Sequence, residues 1–344
     1  MCCMGNSVSH NRFWRLQRHP VGSDFAAALS LEHGPRPRPG VGEVLIENDL
    51  ISLDAGTRMW MSPRTDGYQP PLPLGSPMCG LVIGTIIESR HPAYTEGTLV
   101  RAFGAWADYS CVAPEAAGLR ALDATVQDVR DHLGRLGMNA WTAFVGMTDV
   151  GKARPGETVL ISAAAGATGM LAAQIAKIMG CRVFGLAGGP AKCAFLRNEL
   201  RLDGAIDYKA PGIDAALDRI GGIDVYFDNV GGPLLDAVLP RMAHYGRVAV
   251  SGLLATYATD TPAPLMRFDQ VLMRRLTISG LFSPDFMHRG EQINRIMRRW
   301  AEEGRLTMSF DMTYGLENIL SAYGKLFDGA NIGKVLLAVK PLSE

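Results

Sequence analysis

The sequence lacks the features typical of proteins with a cysteine-built metal site, of secreted proteins and of membrane-spanning proteins. No Cys-x-x-Cys pair occurs, so we expect no metal site built from closely spaced cysteines, and scattered cysteines are typical of reduced packing residues. There is no run of about 18 apolar residues and no apolar secretory leader, so we expect a cytoplasmic protein with no membrane partner. The cysteines are Cys2, Cys3, Cys79, Cys111, Cys181 and Cys193.

Neither sign of charge is in excess. Lys and Arg total 34, and Asp and Glu also total 34, so the formal charges cancel at pH 7. Proteins that bind nucleic acids usually carry an excess or a cluster of basic residues. The balance therefore argues against a nucleic-acid partner and favours a small molecule.

The length and composition indicate a globular α/β protein with two domains. The chain has 344 residues, 47% of them hydrophobic, and its length is about twice that of a typical domain. Short strand-like runs broken by Gly and Pro precede Val126, and alternating helices and strands follow it. We predict a β-rich, barrel-like (GroES-like) domain from residues 1–124 and 306–344, and a doubly wound Rossmann domain from residues 125–305.

The hydrophobic patterns also place individual elements. In the first domain we predict strands at 44–48, 81–88, 98–103, 109–112 and 334–339, and a helix at 318–327. In the second we predict strands at 158–161, 181–187, 206–208, 223–227, 247–251 and 277–281, and helices at 129–149, 170–178, 234–243 and 291–303.

A glycine-rich turn follows the first strand predicted in the second domain. Ala163, Gly166 and Gly169 have the spacing A-x-x-G-x-x-G, and an apolar helix pattern begins at Met170. A turn with almost no side chains lets the backbone approach a pyrophosphate at the start of the helix. The pattern therefore indicates a dinucleotide cofactor, with close packing between strand and helix as the alternative explanation.

The end of the next strand indicates which dinucleotide is bound. An NAD site usually places an acidic residue here, on the ribose hydroxyls, whereas this chain has Gly188, Gly189, Pro190, Ala191 and then Lys192. The absence of a carboxylate and the presence of a lysine favour the 2′-phosphate of NADP(H). An ordinary solvated lysine at a helix start is the alternative for Lys192.

Several further motifs, taken in order, carry a resemblance over nearly the whole chain. They are N-R-F-W at 11–14, S-L-D at 52–54, W-A-D-Y at 106–109, W-T-A-F at 141–144, D-N-V-G-G at 228–232, S-G-L-L-A-T-Y at 251–257 and N-I-G-K at 331–334. With these motifs the chain resembles the zinc-free medium-chain reductases, which include alkenal double-bond reductases, prostaglandin reductases and curcumin reductase. Relatives that bind zinc carry a Gly-His-Glu segment where this chain has G-S-P-M-C-G at 75–80.

The resemblance implies a function and a set of site residues. The function is NADPH-dependent reduction of a carbon-carbon double bond conjugated to a carbonyl, with hydride delivered to the β-carbon without a metal. It also implies a homodimer, for which we place 276–282 at the shared edge. The implied cofactor residues are Thr142, Ala165, Gly166, Ala167, Thr168, Gly169, Gly188, Lys192, Tyr208, Asn229, Ser251 and Asn331, with Lys192 and Tyr208 at the 2′-phosphate and Asn229 near the nicotinamide.

Two residues bear on the substrate. Relatives commonly have S-L-D-P-Y-M-R, with the tyrosine in the substrate cleft, whereas this chain has Gly56 at that position. Tyr257 follows the fifth strand, at the edge where such sheets bind ligands, and is our candidate hydrogen-bond and proton donor. A packed loop tyrosine is the alternative for Tyr257, and ribose hydroxyls or water are alternative proton routes. A quinone reductase and a cofactor-sensing binding protein remain alternative functions.

Overall fold

The computed structural model describes residues 10–65, 67, 69–259 and 263–340, so Cys2 and Cys3 lie outside the described residues. The chain divides into two compact units. One contains the described parts of Met1–Gln127, Met312–Asp328 and Val335–Glu344, and the other contains the described parts of Asp128–Asp311 and Gly329–Lys334. Residues 306–311 and 329–334, which the sequence assigns to the first domain, thus lie in the second unit.

The strands are numbered in chain order. They are β1 (His10–Leu16), β2 (Leu29–Pro35), β3 (Val44–Ser52), β4 (Cys79–Ser89), β5 (Leu99–Ala105), β6 (Tyr109–Val112), β7 (Arg120–Ala121), β8 (Thr158–Ile161), β9 (Arg182–Ala187), β10 (Gly204–Asp207), β11 (Ile223–Asp228), β12 (Met242–Val250), β13 (Thr277–Gly280), β14 (Phe310–Tyr314) and β15 (Lys334–Ala338).

The helices are numbered in the same way. The α-helices are α1 (Met138–Val145), α2 (Ala167–Ile178), α3 (Pro190–Asn198), α4 (Ile213–Asp218), α5 (Gly232–Val238), α6 (Leu254–Tyr257), α7 (Asp269–Met273), α8 (Gly290–Glu302) and α9 (Ile319–Asp328). Short 3₁₀ helices cover Ala55–Met61, Val129–Leu133, Leu239–Arg241, Ser283–Arg289 and Leu316–Asn318, and Gly146–Val150 is a π-helical turn. Among the described residues, no helix is long and apolar enough to cross a membrane.

The second unit contains the predicted doubly wound sheet. Its six strands have the order β10-β9-β8-β11-β12-β13, and every neighbouring pair is parallel. Strands of such a sheet are covered on both faces and are therefore nearly continuously apolar, as the buried V-L-I of β8 shows. The fold class predicted from the sequence is confirmed, and the order reverses beside β8, which puts the glycine-rich turn at the switch point where such sheets bind ligands.

The first unit is built mostly from antiparallel pairs, which join β1 to β2, β3 to β15, β4 and β6, and β5 to β4 and β7. Its seven-stranded sheet has the order β14-β15-β3-β4-β5-β7, with β6 paired to β3, and β1 and β2 form a separate antiparallel pair. The C-terminal strand β15 pairs with β3, with Leu336 opposite Ser52. An aromatic core stabilises this unit, because Tyr323 of α9 lies 4.6 Å from the ring of Phe25 and 5.2 Å from that of Trp106.

Two predicted helices differ from the structure. The helix predicted at 234–243 is wrong at its end, because α5 stops at Val238 and β12 begins at Met242. Pro240 has no backbone N–H and lies in the 3₁₀ turn between them. The helix predicted at 129–149 is broken near Gly137, where a Cβ atom would lie 2.8 Å from the carbonyl oxygen of His132.

Candidate cofactor and active site

The turn after β8 is built for close backbone approach. Ala163 adopts a left-handed conformation with φ of 46°, and its carbonyl oxygen accepts the Gly166 N–H at 2.9 Å. A Cβ atom at Gly169 would overlap that oxygen, whereas one at Gly166 would lie 3.2 Å from it. The first turn of α2 therefore packs directly on the loop, and Thr168 accepts a hydrogen bond from Asn139 at 3.0 Å.

The segment 329–334 lies against this turn. The Gly333 N–H donates to the carbonyl oxygen of Ala165 at 2.8 Å, and Asn331 Nδ2 donates to the Gly333 carbonyl at 3.0 Å. Gly333 has φ of 79°, and a Cβ atom there would overlap the carbonyl of Ser309. These bonds explain why the segment belongs to the second unit, and they show that Asn331 holds a turn as well as lying beside the predicted cofactor loop.

Residues 306–311 are tied to the same unit through α2. The buried Gln174 accepts the Thr307 N–H at 2.8 Å and donates to the Thr307 carbonyl at 3.0 Å. The Ser309 carbonyl in turn accepts the Lys334 N–H at 2.9 Å. The predicted boundary at residue 306 separated these partners because sequence periodicity does not report such long-range bonds.

A second open space lies where β9 and β10 end, beside Gly188 and Gly329. A Cβ atom at Gly188 would lie 3.0 Å from the Tyr208 hydroxyl and 2.9 Å from Cε of Lys209. A Cβ atom at Gly329 would lie 3.9 Å from the same hydroxyl and 4.0 Å from Nζ of Lys209. Tyr208 and Lys209 therefore reach into the space that these two glycines leave open.

Lys192, in the first turn of α3, is a second cation near Lys209. Burial lowers the pKa of Lys192, the charge of Lys209 lowers it further, and Asp311 opposes both effects. Two ammonium groups that repel each other are stabilised by an anion placed between them. Lys209 is a candidate site residue that the sequence analysis did not name, although the cation in D-Y-K at 207–209 is a signal that would have found it.

Asp207 holds the backbone around this space. Its Oδ1 accepts the Gly189 N–H at 2.8 Å and the Lys209 N–H at 2.9 Å. These backbone bonds, the Gly189 bond first, lower the pKa of Asp207. The Asp207 carboxylate thus joins the end of β10 to the start of α3. Its hydrogen bonds are to backbone N–H groups.

Asn229 and Ser251 meet at the ends of β11 and β12. Asn229 Nδ2 donates to the Ser162 carbonyl at 2.7 Å, and Asn229 Oδ1 accepts the Ser251 hydroxyl at 2.8 Å. The Asn229 side chain therefore links the end of β11 to the residues that follow β8 and β12. The structure brings both predicted residues together beside the glycine-rich turn, through Ser162 at the start of that turn.

A buried carboxylate lies directly behind this pair. Asp228 Oδ1 accepts hydrogen bonds from the Ser162 hydroxyl at 2.9 Å and the Tyr226 hydroxyl at 3.0 Å. It also accepts the Val230 N–H at 2.9 Å and the Gly231 N–H at 3.0 Å. Burial raises the pKa of Asp228, and these four neutral donors oppose the rise.

Tyr257 ends α6, just beyond the end of β12. Its hydroxyl oxygen faces the chain at Gly252, where a Cβ atom would lie 3.3 Å from it. Burial raises the pKa of Tyr257, a hydrogen bond with the Leu253 backbone opposes the rise, and the charge of Asp228 adds to it. The hydroxyl is therefore protonated throughout the neutral range and is a hydrogen-bond donor there.

Thr142 and Gly56 are the remaining residues of the site predicted from the sequence. The Thr142 hydroxyl donates to the Met138 carbonyl within α1 at 2.8 Å, which leaves its oxygen lone pairs free to accept. Gly56 lies in the first unit, in the 3₁₀ helix Ala55–Met61, which follows Asp54. The described residues contain no group of three or more His, Cys, Asp or Glu side chains placed to share a metal ion.

Comparison with known proteins gives concordant matches. A family model described as the N-terminal domain of oxidoreductase matches residues 12–120, and one described as zinc-binding dehydrogenase matches residues 167–301. The NADPH-dependent curcumin reductase of Escherichia coli (strain K12) is 35% identical over 345 residues, covering 98% of this chain and 99% of that protein. The 2-alkenal reductase (NADP(+)-dependent) of Nicotiana tabacum is 34% identical, covering 87% of this chain and 88% of that protein.

A solved structure supports the same assignment. CurA from Vibrio vulnificus in complex with NADPH has a TM-score of 0.89 and 32% identity, covering 96% of this chain and 99% of that one. A Rossmann sheet with a glycine-rich turn, joined to a separate β-rich unit, defines a medium-chain dehydrogenase/reductase. Within that class, the chain belongs to the zinc-free family of curcumin, alkenal double-bond and prostaglandin reductases.

Proposed function

We propose that the protein is an NADPH-dependent reductase of the carbon-carbon double bond of α,β-unsaturated ketones and aldehydes. The observation that carries the proposal is Lys209 beside Tyr208 and Gly188, with Lys192 in the first turn of α3 and near enough to Lys209 for that charge to lower the Lys192 pKa. This pair suits a 2′-phosphate, and the glycine-rich turn suits the pyrophosphate of the same molecule. Relatives named as curcumin and 2-alkenal reductases supply the substrate class.

The described residues fit NADP(H) along its length. Gly166 and Gly169, with Ala165, Ala167 and Thr168, would hold the pyrophosphate against backbone N–H groups. Thr142, Asn229, Ser251 and Asn331 would face the nicotinamide half. Asn229 keeps one Nδ2 hydrogen and Ser251 keeps oxygen lone pairs, because their other bonding positions are used within the protein. Such a donor and acceptor pair is complementary to a carboxamide.

When bound, NADPH supplies the hydride for the β-carbon of the substrate. Negative charge then develops on the substrate carbonyl oxygen, and a hydrogen-bond donor placed there lowers the barrier. We assign this role to the Tyr257 hydroxyl, whose raised pKa keeps it protonated. A neutral phenol donates a hydrogen bond well and releases its proton reluctantly, so Tyr257 would stabilise the oxygen, and water or a cofactor ribose hydroxyl would supply the proton that the α-carbon needs to complete the reduction.

The test is NADPH oxidation by the purified full-length chain, followed by absorbance, with a simple enone, with a quinone and without acceptor. We expect oxidation with the enone and none without acceptor. Faster oxidation with the quinone than with any enone would instead establish the quinone reductase. NADPH binding without oxidation by either acceptor would establish a cofactor-sensing protein.

We also propose a cytoplasmic homodimer. Support comes from β13, which within the described part of the chain pairs on one side only, with β12. Antiparallel pairing with a second copy would satisfy its other edge. The described cysteines, Cys79, Cys111, Cys181 and Cys193, are all free, as in reducing compartments. Light scattering should give twice the mass of the chain, and a monomeric mass would remove the dimer proposal.

A further inference from the structure

Asp228 is the charged group most deeply placed near the proposed cofactor site, and the reaction as proposed does not use it. Its side chain is fully buried, with 0% relative exposure. Burying a carboxylate is costly unless it is hydrogen-bonded, and here two hydroxyls and two backbone N–H groups donate to it. A fully hydrogen-bonded buried carboxylate holds the groups that donate to it in fixed positions.

The hydrogen bond from Ser162 connects Asp228 to Asn229. Because the Ser162 hydroxyl donates its one hydrogen to Asp228, its oxygen can only accept from other groups. It accepts the backbone N–H of Asn229 at 2.8 Å. Asp228 therefore determines which way the Ser162 hydroxyl points, and Ser162 in turn holds the Asn229 backbone.

The orientation of the Asn229 amide follows by elimination. The Ser162 carbonyl can only accept, so the amide atom that faces it at 2.7 Å must be Nδ2. Oδ1 then faces Ser251, whose hydroxyl must donate at 2.8 Å. One orientation of both side chains satisfies every bond, and it leaves one Asn229 hydrogen and the Ser251 lone pairs unused.

We infer that Asp228 is a positioning residue of the proposed NADPH site: through the Ser162 hydroxyl it holds the Asn229 backbone where the Asn229 amide can bond the Ser162 carbonyl and Ser251, in the orientation that recognises the nicotinamide carboxamide. The inference rests on the proposed function. It predicts that loss of the Asp228 charge weakens recognition of the nicotinamide half and leaves recognition of the adenosine half unchanged, because Lys192, Tyr208 and Lys209 follow β9 and β10, which β8 separates from β11 in the sheet.

The experiment compares two ligands on the full-length chain. NADPH carries both halves of the cofactor, and 2′-phospho-ADP-ribose lacks the nicotinamide. For Asp228→Asn we expect the Kd for NADPH to rise about tenfold, the effect of a lost charge-assisted bond, and the Kd for 2′-phospho-ADP-ribose to change less than about twofold. Equal changes for both ligands, or no change for either, would overturn the inference.

A matched control lies in the same strand. Asp224, near the other end of β11, accepts the Thr158 N–H at 2.8 Å, so Asp224→Asn also removes a carboxylate that bonds a neighbouring strand. We expect it to leave the Kd values of both ligands unchanged. If Asp224→Asn shifted the ratio of the two Kd values as Asp228→Asn does, the effect would belong to strand pairing in general, and the assignment of Asp228 would be wrong.

Two further variants keep the test valid if Asp228→Asn fails to fold. Tyr226→Phe removes one donor to Asp228 and should shift the ratio of the two Kd values in the same direction by about threefold. Ser162→Ala removes the link itself and should reproduce the full shift. An unchanged ratio in both variants overturns the inference. A wild-type chain that binds neither ligand overturns the proposed function and the inference with it.

Discussion

Gly169 and Ala163 are in such close contact that a Cβ atom on Gly169 would overlap the Ala163 carbonyl oxygen. Gly166, three residues earlier, is less restricted, because its Cβ would lie 3.2 Å from the same oxygen. The two glycines of the turn therefore have different roles. Gly169 lets α2 pack on the turn, and Gly166 leaves its open side free for a ligand.

This difference predicts different effects of Gly169→Ala and Gly166→Ala. Gly169→Ala should lower the free energy of unfolding by about 1–3 kcal/mol, since the helix or the turn must move. Gly166→Ala should cost less than about 1 kcal/mol and should still weaken NADPH binding at least tenfold. Urea unfolding and fluorescence titration measure the two quantities. A stable Gly169→Ala protein would show that the turn relaxes freely.

Lys192→Ala should narrow the preference for NADPH over NADH. We expect a loss of about 1.5–3 kcal/mol in NADPH binding, the value of a charge-assisted hydrogen bond, and no loss in NADH binding. Lys209→Ala, which removes the more exposed cation, should act in the same direction by about 0.5–1 kcal/mol. Titration with both cofactors measures this, and an unchanged NADPH/NADH ratio in both variants would contradict the 2′-phosphate assignment.

The lowered pKa of Lys192 predicts a pH dependence of cofactor choice. Because its pKa lies below the ordinary lysine value of 10.5, Lys192 loses its charge at a lower pH than an exposed lysine. The preference for NADPH should therefore decline as the pH rises towards that value, and Lys192→Arg should retain it. For the ligand-free protein the sign is opposite: the unfolded chain binds more protons in this window, so stability rises with pH.

The strands around the proposed cofactor site are visible in the sequence, and the network behind it is not. β8 and β11 are short apolar runs that end at small or polar residues, so their positions and their ligand-binding edge follow from local pattern. The contacts of Asp228 with Ser162, and of Lys209 with the space at Gly188, depend on which strands are neighbours. Such contacts join residues far apart in the chain, where local pattern carries no information.

Two other differences between prediction and structure arise from the local sequence pattern. In one a proline ends the predicted helix, and in the other the pattern is too weak to predict a strand. The apolar spacing from Leu234 onward predicts a long helix, but Pro240 ends it. β1, which was not predicted, has the mixed sequence H-N-R-F-W-R-L, and only its register against β2 makes it a strand. The family motifs were informative because several of them, such as D-N-V-G-G, encode backbone conformations: Gly231 and Gly232 both have positive φ.

Tyr257→Phe tests the proposed donor. The change removes one oxygen from a side chain packed against Gly252, so we expect stability to change by less than about 1 kcal/mol. Turnover of enones should fall about 10²-fold, as for loss of one hydrogen bond to a developing oxyanion, with the Kd for NADPH unchanged. Because burial raises the Tyr257 pKa, wild-type kcat should not decline through the neutral range on account of this group. Unchanged kcat in the variant would favour ribose hydroxyls or water.

The last prediction concerns Gly56, which we propose borders the substrate. Members of the family that this chain resembles commonly carry a tyrosine at this position. Its absence from this chain should admit bulkier enones, cyclic or aryl-bearing, that small-alkenal reductases exclude. The space gained is about that of a substrate ring, and a lost phenol donor costs about 0.5–1.5 kcal/mol where water replaces it. Substrate size should therefore be affected more than the rate on a small enone.

The variant that tests this is Gly56→Tyr, with Gly56→Ala as its matched control. Gly56→Tyr should lower kcat/KM for bulky enones at least tenfold and leave small enones within about threefold, because one filled ring position excludes only the larger substrates. Gly56→Ala adds a single methyl group to the same 3₁₀ helix and should leave both classes nearly unchanged. A panel of enones graded by size, followed by NADPH absorbance, gives the comparison. Equal effects of Gly56→Tyr on both classes would show that position 56 does not contact the substrate, since a change in the helix alone has no reason to distinguish substrates by size.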